Sequence, residues 1–423
     1  MLLGAIADDL TGATDLALML SRGGMRTIQV IGVPRAEDVH VLSQHDAVVV
    51  ALKSRTAPPQ QAVTQSLASA DVLREAGAHQ LFFKYCSTFD STDNGNIGPV
   101  TEALLAFLQT SMTLACPAFP ANGRSVYQGH LFVGDTPLAE SPMRNHPLTP
   151  MRDSNLVRVL QRQSEGSVGL VSYTSIDAGP VVIRKALMEA AAAGHLQVIV
   201  DALSDRHLLD IGQAADGMPL ITGGSGVAMG LPANFIRAGL LHPAKPSSKL
   251  DAPRGRRAIL SGSCSEATRA QIGAALEAGV PAREIDANAL IAGNVRAEDL
   301  RDWALKQDSN RPVLIYSSAN PKIIAEVQER HGRAEAGEAV EALFAKLGAM
   351  LADAGFTRLL VAGGETSGAV VQSLNVPGLA IGPEIDPGVP WTRSSGGRDV
   401  ALALKSGNFG ARDFFLKAWG LLQ

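Results

Sequence analysis

LLGAIADDLTGATDLALMLSRGG, residues 2–24, joins a short apolar run, two adjacent acids and a segment with helical spacing. The apolar run predicts a buried strand, and Thr11 is the predicted cap of a helix that ends at the Gly-Gly pair. A buried strand that leads directly into a helix is the repeating unit of a parallel sheet. The stretch therefore predicts an α/β fold in which Asp8 and Asp9 lie at the C-terminal end of a strand.

Apolar runs of the same kind recur along the chain, separated by longer segments with helical spacing. Continuous apolar runs of this length are typical of strands that are buried on both faces of a parallel sheet. The first half contains TIQVIGV, AVVVAL, QLFFKYC, VGLVSY and QVIVDA, and the second half contains RAILSGS, RPVLIYSS, RLLVAGGE and GLAIGP.

Residues 240–257, LLHPAKPSSKLDAPRGRR, separate the two sets of apolar runs. This segment holds three prolines, two serines and five Lys or Arg residues, and it has no apolar periodicity. We therefore predict two α/β domains, each with a mostly parallel sheet flanked by helices, and a ligand cleft between them. The predicted bounds are 1–240 for the first domain, 241–256 for the linker and 257–423 for the second domain.

The composition is that of an ordinary globular protein. Of the 423 residues, 46% are hydrophobic and 18% are charged, and the formal net charge is −4. Nucleic-acid binders carry a basic excess that this chain lacks, so DNA and RNA are not expected partners. Cys86, Cys116 and Cys264 form no CxxC pair, and the first residues lack the basic segment of a signal peptide. These features predict a protein of the reducing cytoplasm without structural zinc or a membrane span.

The sequence motifs of common nucleotide and metal sites are missing. The chain contains no Gly-Lys dipeptide, which excludes a P-loop of the Walker A type. No GxGxxG follows a predicted strand, which argues against a Rossmann dehydrogenase. The nine histidines lack HExxH or comparable ligand spacing, so a transition-metal site is not expected.

Charged side chains follow three predicted strands of the first half. Asp8 and Asp9 follow the first strand, Lys53 and Arg55 follow AVVVAL, and Lys84 ends QLFFK. In an open parallel sheet the C-terminal ends of the strands form the ligand-binding edge. Cationic groups suit a carboxylate and aspartates suit hydroxyls, so this edge predicts a site for a small sugar acid. The alternative is that the acids only favour a helix start and the basic residues are solvated.

Further polar residues in the first half bear on this site. The loop after Lys84 adds Ser87, Asp90 and Asp93, while Asp15 is predicted to be a first-turn helix acid. Residues 117–155 are rich in Pro, Asn and Gly and show no clear elements, which is typical of a functional loop.

Small residues follow three predicted strands of the second half. The turns are SGSCS, GGET after RLLVA, and the segment around Gly407 in LALKSGNFG. Glycines allow a ligand to approach the backbone, and N–H groups at a helix start bind phosphate. The three turns together predict a nucleotide site, although glycine also leaves strands for steric reasons alone. The candidate nucleotide-binding residues are Ser261, Ser263, Gly363, Gly364, Glu365, Thr366 and Gly407.

Longer motifs across nearly the whole chain resemble the four-carbon acid sugar kinases, and most closely their 3-oxo-tetronate kinase branch. The motifs are ADDLTGA, KSRT, KYCSTFDSTDNGNIGP, ACPAFPANGRSVYQGHLFVGD, MRNHPLTPM, SGSCS, GGETSGAV and LKSGNFG. The resemblance implies that the first domain binds the sugar acid and that the second binds ATP. It implies substrate contacts at Asp9, Arg55, Lys84, Tyr85, Cys86 and Ser87, and ATP contacts at the SGSCS turn, at residues 363–366 and at Gly407.

The predicted reaction transfers a phosphoryl group from ATP, with Mg²⁺ across its phosphates, to the 4-hydroxyl of a 3-oxo-tetronate. Asp9, with Asp8 as its alternative, would accept or orient the proton of that hydroxyl, and Lys84 is the third catalytic candidate. We expect the second acid to cap the helix or support the site, since adjacent side chains on a strand point in opposite directions.

Other functions remain open at this point. Sister kinases for threonate or erythronate commonly carry K-x-D-S, where this chain has KYCS with Cys86 in place of the aspartate. A non-catalytic protein that binds a small acid would explain the first site but not the three glycine turns. A lyase or dehydrogenase on the same substrate is a further alternative, and the missing dinucleotide motif argues against the dehydrogenase. The substrate's stereochemistry and the existence of a homo-oligomer are left open.

Overall fold

The computed structural model describes residues 1–146, 148–244, 249–317 and 333–423. In the helix that begins at Arg333, side chains are described from residue 337 onward. The chain forms two compact units, Met1–Lys245 and Pro246–Gln423. Residues 245–248 of the predicted linker lie outside the described residues. Within the described ranges, no helix is long and apolar enough to cross a lipid bilayer.

The first unit is built on a parallel sheet whose strands pair in the order β2-β3-β1-β4-β11-β5-β10-β9. β1, β3 and β4 are buried along their whole length, as the continuous apolar runs predict. The strands of this unit are β1 (Leu3–Ala7), β2 (Thr27–Ile31), β3 (Ala47–Ala51), β4 (Gln80–Lys84), β5 (Thr113–Cys116), β6 (Arg124–Tyr127), β7 (His130–Val133), β8 (Thr136–Pro137), β9 (Ser167–Val171), β10 (His195–Val200) and β11 (Leu220–Gly223).

Helices connect the parallel strands of the first unit. α1 starts two residues after β1 and ends before Gly23, where the Gly-Gly pair predicts its end. The helices are α1 (Leu10–Arg22), α2 (Val39–Leu42), α3 (Pro59–Glu75), α4 (Ile97–Phe107), α5 (Leu156–Gln161), α6 (Tyr173–Asp177), α7 (Pro180–Ala192), α8 (Asp205–Ala214) and α9 (Pro232–Arg237), with short 3-10 turns at Ala36–Asp38, Pro120–Asn122, Leu138–Glu140, Pro142–Asn145 and Ser225–Gly230.

The segment 117–155 contains regular elements that its composition did not predict. β6, β7 and β8 form a small antiparallel sheet, and Gln128 and Gly129 connect β6 to β7. Both residues have positive φ, 50° and 72°, as a type I′ hairpin turn requires. The Asp201 carboxylate accepts hydrogen bonds from both of their N–H groups, at 2.7 and 2.9 Å. The strands have at most four residues and are partly exposed, so they show little apolar periodicity.

The second unit is built on a sheet in the order β13-β14-β12-β15-β18-β17-β16. Its core packs around the fully buried Trp391. The strands are β12 (Arg257–Ser261), β13 (Ala282–Glu284), β14 (Val313–Tyr316), β15 (Arg358–Ala362), β16 (Gly378–Asp386), β17 (Val389–Ser394) and β18 (Ala401–Lys405), and the helices are α10 (Glu266–Glu277), α11 (Ala287–Ile291), α12 (Ala297–Leu305), α13 (Arg333–Asp353), α14 (Gly364–Leu374) and α15 (Phe414–Lys417), followed by a 3-10 turn at Ala418–Leu421.

One predicted parallel strand of the second unit is antiparallel. GLAIGP lies in β16, which pairs antiparallel with β17, and β17 pairs antiparallel with β18. Only Pro387 and Gly388 separate β16 from β17, and a turn this short can join only antiparallel strands. The strands from β12 to β15 and β18 are parallel. The predicted α/β class with mostly parallel sheets is therefore confirmed.

Candidate active site

Two acids at the end of β1 share one arginine from the loop after β3. Nε and Nη2 of Arg55 donate to Oδ2 and Oδ1 of Asp8, at 2.9 and 2.7 Å. The same Nη2 donates to Oδ1 of Asp9 at 2.6 Å. β1 and β3 are neighbours in the sheet, so their C-terminal ends lie side by side. The structure therefore brings Asp8, Asp9 and Arg55 into one hydrogen-bonded cluster.

The loop that carries Arg55 is fixed by its main chain. The carbonyl of Asp8 accepts hydrogen bonds from the N–H groups of Ser54 and Arg55, at 3.0 and 3.1 Å. The buried side chain of Asn96 donates through Nδ2 to the carbonyls of Ser54, Arg55 and Ala57, at 2.5, 3.1 and 3.1 Å. Asn96 was not among the predicted site residues, because an asparagine directly before α4 looks like an ordinary helix cap, although its side chain makes no cap hydrogen bond.

Asp9, and not Thr11, caps α1. Its Oδ1 accepts the N–H of Gly12 at 3.1 Å, and its Oδ2 accepts the hydroxyl of Thr11 at 2.7 Å. The prediction that Asp8 and Asp9 point in opposite directions is also wrong. β1 ends at Ala7, so the two acids lie beyond the pleated strand and both carboxylates reach Arg55.

Lys84 ends β4, the other neighbour of β1. Its side chain is buried, and Nζ donates to the carbonyl of Tyr85 at 2.8 Å. A Cβ added to Gly12 would lie 2.9 Å from Nζ of Lys84 and 2.3 Å from Oδ1 of Asp9. The lysine ammonium therefore lies against the first turn of α1, beside the acid cluster, and a side chain at Gly12 would occupy the space between them.

The turn after Lys84 combines a core residue, Tyr85, with the partly exposed small residues Cys86 and Ser87. The Tyr85 ring is fully buried, edge-on to Phe83 and Phe89, and its hydroxyl lies 3.0 Å from the hydroxyl of Thr222. The side chain of Tyr85 therefore belongs to the core, and only its main chain is left for the predicted substrate contact. Ser87 is partly exposed.

Cys86 connects this turn to a third acid. Its Sγ lies 3.0 Å from the hydroxyl of Thr88, which donates to Asp90 at 2.7 Å, and Oδ2 of Asp90 lies 4.0 Å from Nη1 of Arg55. Burial raises the pKa of the Cys86 thiol to about 12, so it is a neutral hydrogen-bonding group at neutral pH. Phe89 and Asp90 have φ of +68° and +46°, a strained pair of the kind that clusters at functional sites.

The two adjacent acids differ in their electrostatics. Burial raises the pKa of the Asp8 carboxyl above its ordinary value and outweighs the opposing effect of Arg55. Burial acts in the same direction on Asp9, but the charges of Arg55 and Lys84 and the hydrogen bonds at the helix start lower its pKa overall. Asp9 also has the more exposed side chain, at 23% against 7%. Asp9 therefore ionises more readily than Asp8 and is the more accessible carboxylate of the pair.

Three charged residues from the same loops and from α1 lie outside this cluster. Lys53 is exposed, and Asp93 is exposed and lies 3.6 Å from Arg162. Asp15 is not a first-turn acid as predicted, since α1 starts at Leu10 and places it in the second turn. There it is buried and accepts a hydrogen bond from the hydroxyl of Ser225.

In the second unit, two of the predicted turns are bonded to each other. Ser265 caps α10 by accepting the N–H of Thr268 at 3.2 Å, and its hydroxyl donates to the carbonyl of Gly407 at 2.5 Å. The hydroxyl of Thr268 donates to the same carbonyl at 2.8 Å. Ser261 is fully buried at the end of β12, before this turn.

The third turn lies against the other two. Gly363 has φ +120°, a conformation that side chains disfavour, and a Cβ there would lie 3.3 Å from the N–H nitrogen of Ser263. A Cβ on Gly407 would lie 2.6 Å from Oγ of Ser263, and one on Gly262 would lie 2.3 Å from Oγ1 of Thr366. A side chain at any of these glycines would crowd the neighbouring turn, so the three turns form one closely packed, glycine-rich cluster.

α14 begins inside this cluster. Gly364 is its first residue, and the cap position is occupied by Gly363, which has no side chain to bond the first N–H groups. The N–H groups of a first helical turn lack intrahelical partners and favour anions. Glu365 in this turn is exposed and Thr366 is buried. Because no side chain of the protein caps this helix, its first turn is suited to a bound phosphate group.

Lys405, which was not among the predicted site residues, lies next to the same cluster. It ends β18 with a fully buried side chain, and Nζ donates to the hydroxyl of Thr268 and to the carbonyls of Ser406 and Gly407, at 2.9, 2.9 and 2.8 Å. Burial lowers the pKa of Lys405 to about 7. In the sequence, Lys405 is visible only as a lysine at the end of an apolar run, and a surface lysine would give the same pattern.

Comparison with known protein families divides the chain as its two units do. Residues 3–231 match the family model described as a sugar-binding N-terminal domain. Residues 258–415 match the model described as a nucleotide-binding C-terminal domain.

Curated relatives match the chain over its whole length. A 3-oxo-tetronate kinase from Pseudomonas fluorescens is 54% identical over 421 residues, which cover 100% of this chain and 97% of the relative. A 3-oxo-tetronate kinase from Salmonella typhimurium is 46% identical over 419 residues, with 98% of each chain covered.

Two solved structures have the same fold. A Salmonella typhimurium protein described as a tRNA synthase superimposes with a TM-score of 0.85 at 45% identity, covering 98% of both chains. A Haemophilus influenzae protein of the DUF1537 family superimposes with a TM-score of 0.77 at 40% identity, covering 99% of both chains. With full-length relatives at about half identity and both domain models matched, the chain belongs to the four-carbon acid sugar kinase family, in the branch of the 3-oxo-tetronate kinases.

Proposed function

We propose that this protein transfers the γ-phosphoryl group of ATP to the terminal hydroxyl of a 3-oxo-tetronate and releases ADP and the 4-phosphate. The observation that carries the proposal is the cluster of Asp8, Asp9 and Arg55 beside Lys84, at the ligand-binding edge of a parallel sheet. The 3-oxo-tetronate kinases that match the whole chain support the same reaction.

On the substrate side, we assign the sugar acid to the first unit, with predicted bounds 1–240. Nη2 and Nε of Arg55 are used by the two acids, but Nη1 makes no hydrogen bond to a described residue. That nitrogen is available to an oxygen of the substrate, while its partner acids hold the guanidinium still. Lys84, Cys86 and Ser87 lie in the turn of the neighbouring strand and complete the proposed contacts.

Asp9 is the proposed acceptor of the hydroxyl proton. It is the more exposed acid and is ionised at neutral pH, and its bond to Arg55 fixes its orientation. In a loose transition state the proton leaves late, so the carboxylate mainly orients the hydroxyl and needs no raised pKa. Asp8, which is nearly buried behind the same guanidinium, supports Arg55 and is the alternative acceptor.

On the nucleotide side, we assign ATP to the second unit, with predicted bounds 257–423. The N–H groups at the start of α14 and the Gly363 and Gly407 turns would bind phosphate oxygens, with the hydroxyl of Ser263 beside them. The described residues hold no cluster of three or more His, Cys, Asp or Glu side chains arranged for a metal. Mg²⁺ fits the proposed nucleotide site even so, because this ion is bound largely by nucleotide phosphates and water. Glu365, in the first turn of α14, is the carboxylate nearest in sequence to the proposed phosphate site. When bound, Mg²⁺ would neutralise charge on the phosphates.

The test is ADP release from ATP and Mg²⁺ with a panel of D- and L-series 3-oxo-tetronates, threonates and erythronates. We expect an oxo-tetronate to give the largest kcat/KM. The use of ATP and the free cysteines also fit the proposed location in the cytoplasm. Preference for threonate or erythronate would move the protein to a sister activity. Tight acid binding without ADP release would favour the non-catalytic binding protein instead.

A further inference from the structure

Lys405 lies in a row of residues that leads into the candidate nucleotide turns. The Cα register of three parallel strands aligns Ser261 of β12 with Ala362 of β15, and Ala362 with Lys405 of β18. Residues in register across a parallel sheet place their side chains on the same face. Ser261 and Lys405 therefore lie on one face of the sheet, at the last position of their strands, directly before the glycine turns.

Two polar groups in this row lack a full set of partners: the ammonium of Lys405 has no opposite charge, and the hydroxyl of Ser261 has no hydrogen bond within the described residues. The ammonium of Lys405 is fully buried, and its hydrogen bonds go only to neutral oxygens, the hydroxyl of Thr268 and two carbonyls. No carboxylate among the described residues is bonded to it. The hydroxyl oxygen of Ser261 is buried and has no hydrogen-bond partner within the same residues. A buried charge without an opposite charge is unfavourable, so these groups point to a ligand that brings negative charge.

The titratable groups on the surrounding elements do not supply that charge. They are Cys264 in the turn before α10, Glu266, Arg269 and Glu277 on α10, and Glu365 on α14. All three glutamates are exposed, and Glu277 is bonded to Arg412. Burial is the cause of the lowered Lys405 pKa, with no charged neighbour contributing.

We propose that Lys405 is a positioning residue for the nucleotide: its ammonium holds the Gly407 turn, and the nucleotide phosphates supply the negative charge that the buried ammonium lacks. The inference rests on the proposed assignment of ATP to these turns and deepens it. Lys405 acts through the turn and through its charge, since its buried side chain has no exposed surface for direct contact.

Proton uptake is the consequence that separates this role from a merely structural one. Because the buried ammonium has no opposite charge, its pKa is lowered to about 7, and at pH 8 the free protein carries mainly the neutral amine until an anion binds. A bound polyanion favours the charged ammonium, so a proton moves from the buffer to Nζ when the nucleotide binds. A lysine that only supported the fold would keep one protonation state, and nucleotide binding would then be independent of the buffer.

The experiment is calorimetric titration of the full-length protein with ADP at pH 8, in EDTA, in buffers of different ionisation enthalpy. At this pH the ADP phosphates are already deprotonated, and without Mg²⁺ no metal-linked proton release occurs. We expect uptake of about 0.5 proton or more per ADP bound. ADP binding without proton uptake would overturn the role of Lys405 and leave the nucleotide site intact, whereas no ADP binding at all would overturn the proposed nucleotide site as well.

Lys405→Met tests the same point with a neutral side chain of similar length. We expect it to weaken ADP binding by roughly tenfold and to abolish the uptake. The matched control is Lys306→Met, which removes the same charge from an exposed position in the second unit and should change neither quantity. Thermal melting checks that each variant is folded, and the uptake by the unmodified protein remains decisive if Lys405→Met does not fold. Unchanged affinity and uptake in Lys405→Met would contradict the proposal.

Discussion

Two buried lysines, one in each unit, end parallel strands in opposite electrostatic settings. Lys84 lies beside the cluster of Asp8, Asp9 and Arg55, and Asp90 lies 4.0 Å from the same arginine, so the cations have carboxylates as neighbours. Lys405 is bonded only to neutral oxygens and lies beneath turns of bare main chain. A buried lysine at the last position of a parallel strand therefore belongs to a different kind of site in each unit.

The difference corresponds to the two substrates of a kinase. A cluster of carboxylates and cations can orient a hydroxyl and bind a single carboxylate with little net attraction for phosphate. A buried cation without a carboxylate partner, beside the first turn of a helix, favours a polyanion. On the proposed assignment, the first unit positions the nucleophile and the second neutralises charge, which is most of what a loose transition state needs.

The largest effect is expected from removing the proton acceptor in the cluster of Asp8, Asp9 and Arg55. Asp9→Asn should lower kcat by about 100-fold or more, because asparagine cannot accept the hydroxyl proton. The fold should persist, since asparagine is also a good helix cap for α1. Coupled ADP release measures kcat, and circular dichroism checks the fold.

Asp93→Asn is the control for this change, because Asp93 is exposed and lies outside the cluster. It should retain normal turnover. A near-normal kcat in Asp9→Asn would remove Asp9 from the acceptor role and leave Asp8 as the candidate.

A smaller effect, confined to one substrate, is expected from the shared arginine. Arg55→Ala should raise the KM for the sugar acid by roughly tenfold and change the KM for ATP much less, since Arg55 belongs to the first site only. It should also lower the free energy of unfolding by about 3 kcal/mol, because it leaves the nearly buried Asp8 carboxylate unpaired. Steady-state kinetics and urea unfolding measure the two effects.

The double variant Asp8→Asn/Arg55→Ala separates these effects. It should recover much of the stability, because the buried charge is removed together with its partner, and it should keep the raised KM. A rise in the KM for ATP that exceeds the rise for the sugar acid would place Arg55 in the other site.

The smallest of the three effects is expected at the start of α14. Gly364→Val should weaken ADP binding by about fivefold to tenfold, since a branched side chain would crowd a phosphate on the first N–H groups. Gly368→Val is a matched control in the same helix, where an added Cβ meets nothing within 4 Å. It introduces the same side chain away from the first turn and should bind ADP normally. Equal ADP affinities in the two variants, by calorimetry, would show that the turn only leads the chain out of β15.

The parallel topology explains how much of the candidate sites could be read from the sequence. Apolar runs identify β1, β3 and β4, and parallel strands end at one edge, so residues that directly follow those runs converge. Asp8, Asp9, Arg55 and Lys84 were selected in this way, and the structure places them together.

The features that were missed depend on contacts between distant segments. Nothing in NGNIGP shows that Asn96 turns its side chain toward the loop of Arg55 instead of capping α4. Lys405 looks like a surface lysine at a strand end, and its burial becomes visible only when β18 is placed beside β15.

The errors in secondary structure have local causes. β5 and β11, with sequences TLAC and LITG, are too short and too poor in apolar residues to stand out from loops. The orientation of β16 depends on the Pro387–Gly388 turn, which the apolar pattern of GLAIGP does not report. The cap of α1 falls on Asp9 because β1 ends at Ala7 and only Asp8 and Asp9 lie between the strand and the helix.

The central claim is that two separately built sites serve one transfer of a phosphoryl group to a terminal hydroxyl. It is tested most directly by ³¹P NMR of the unmodified protein with ATP, Mg²⁺ and the best 3-oxo-tetronate. The account predicts one new phosphomonoester signal, split into a triplet by the two protons of a terminal CH₂, that grows in step with ADP. Inorganic phosphate alone, an acyl phosphate, or ATP that stays intact while the acid binds would contradict it.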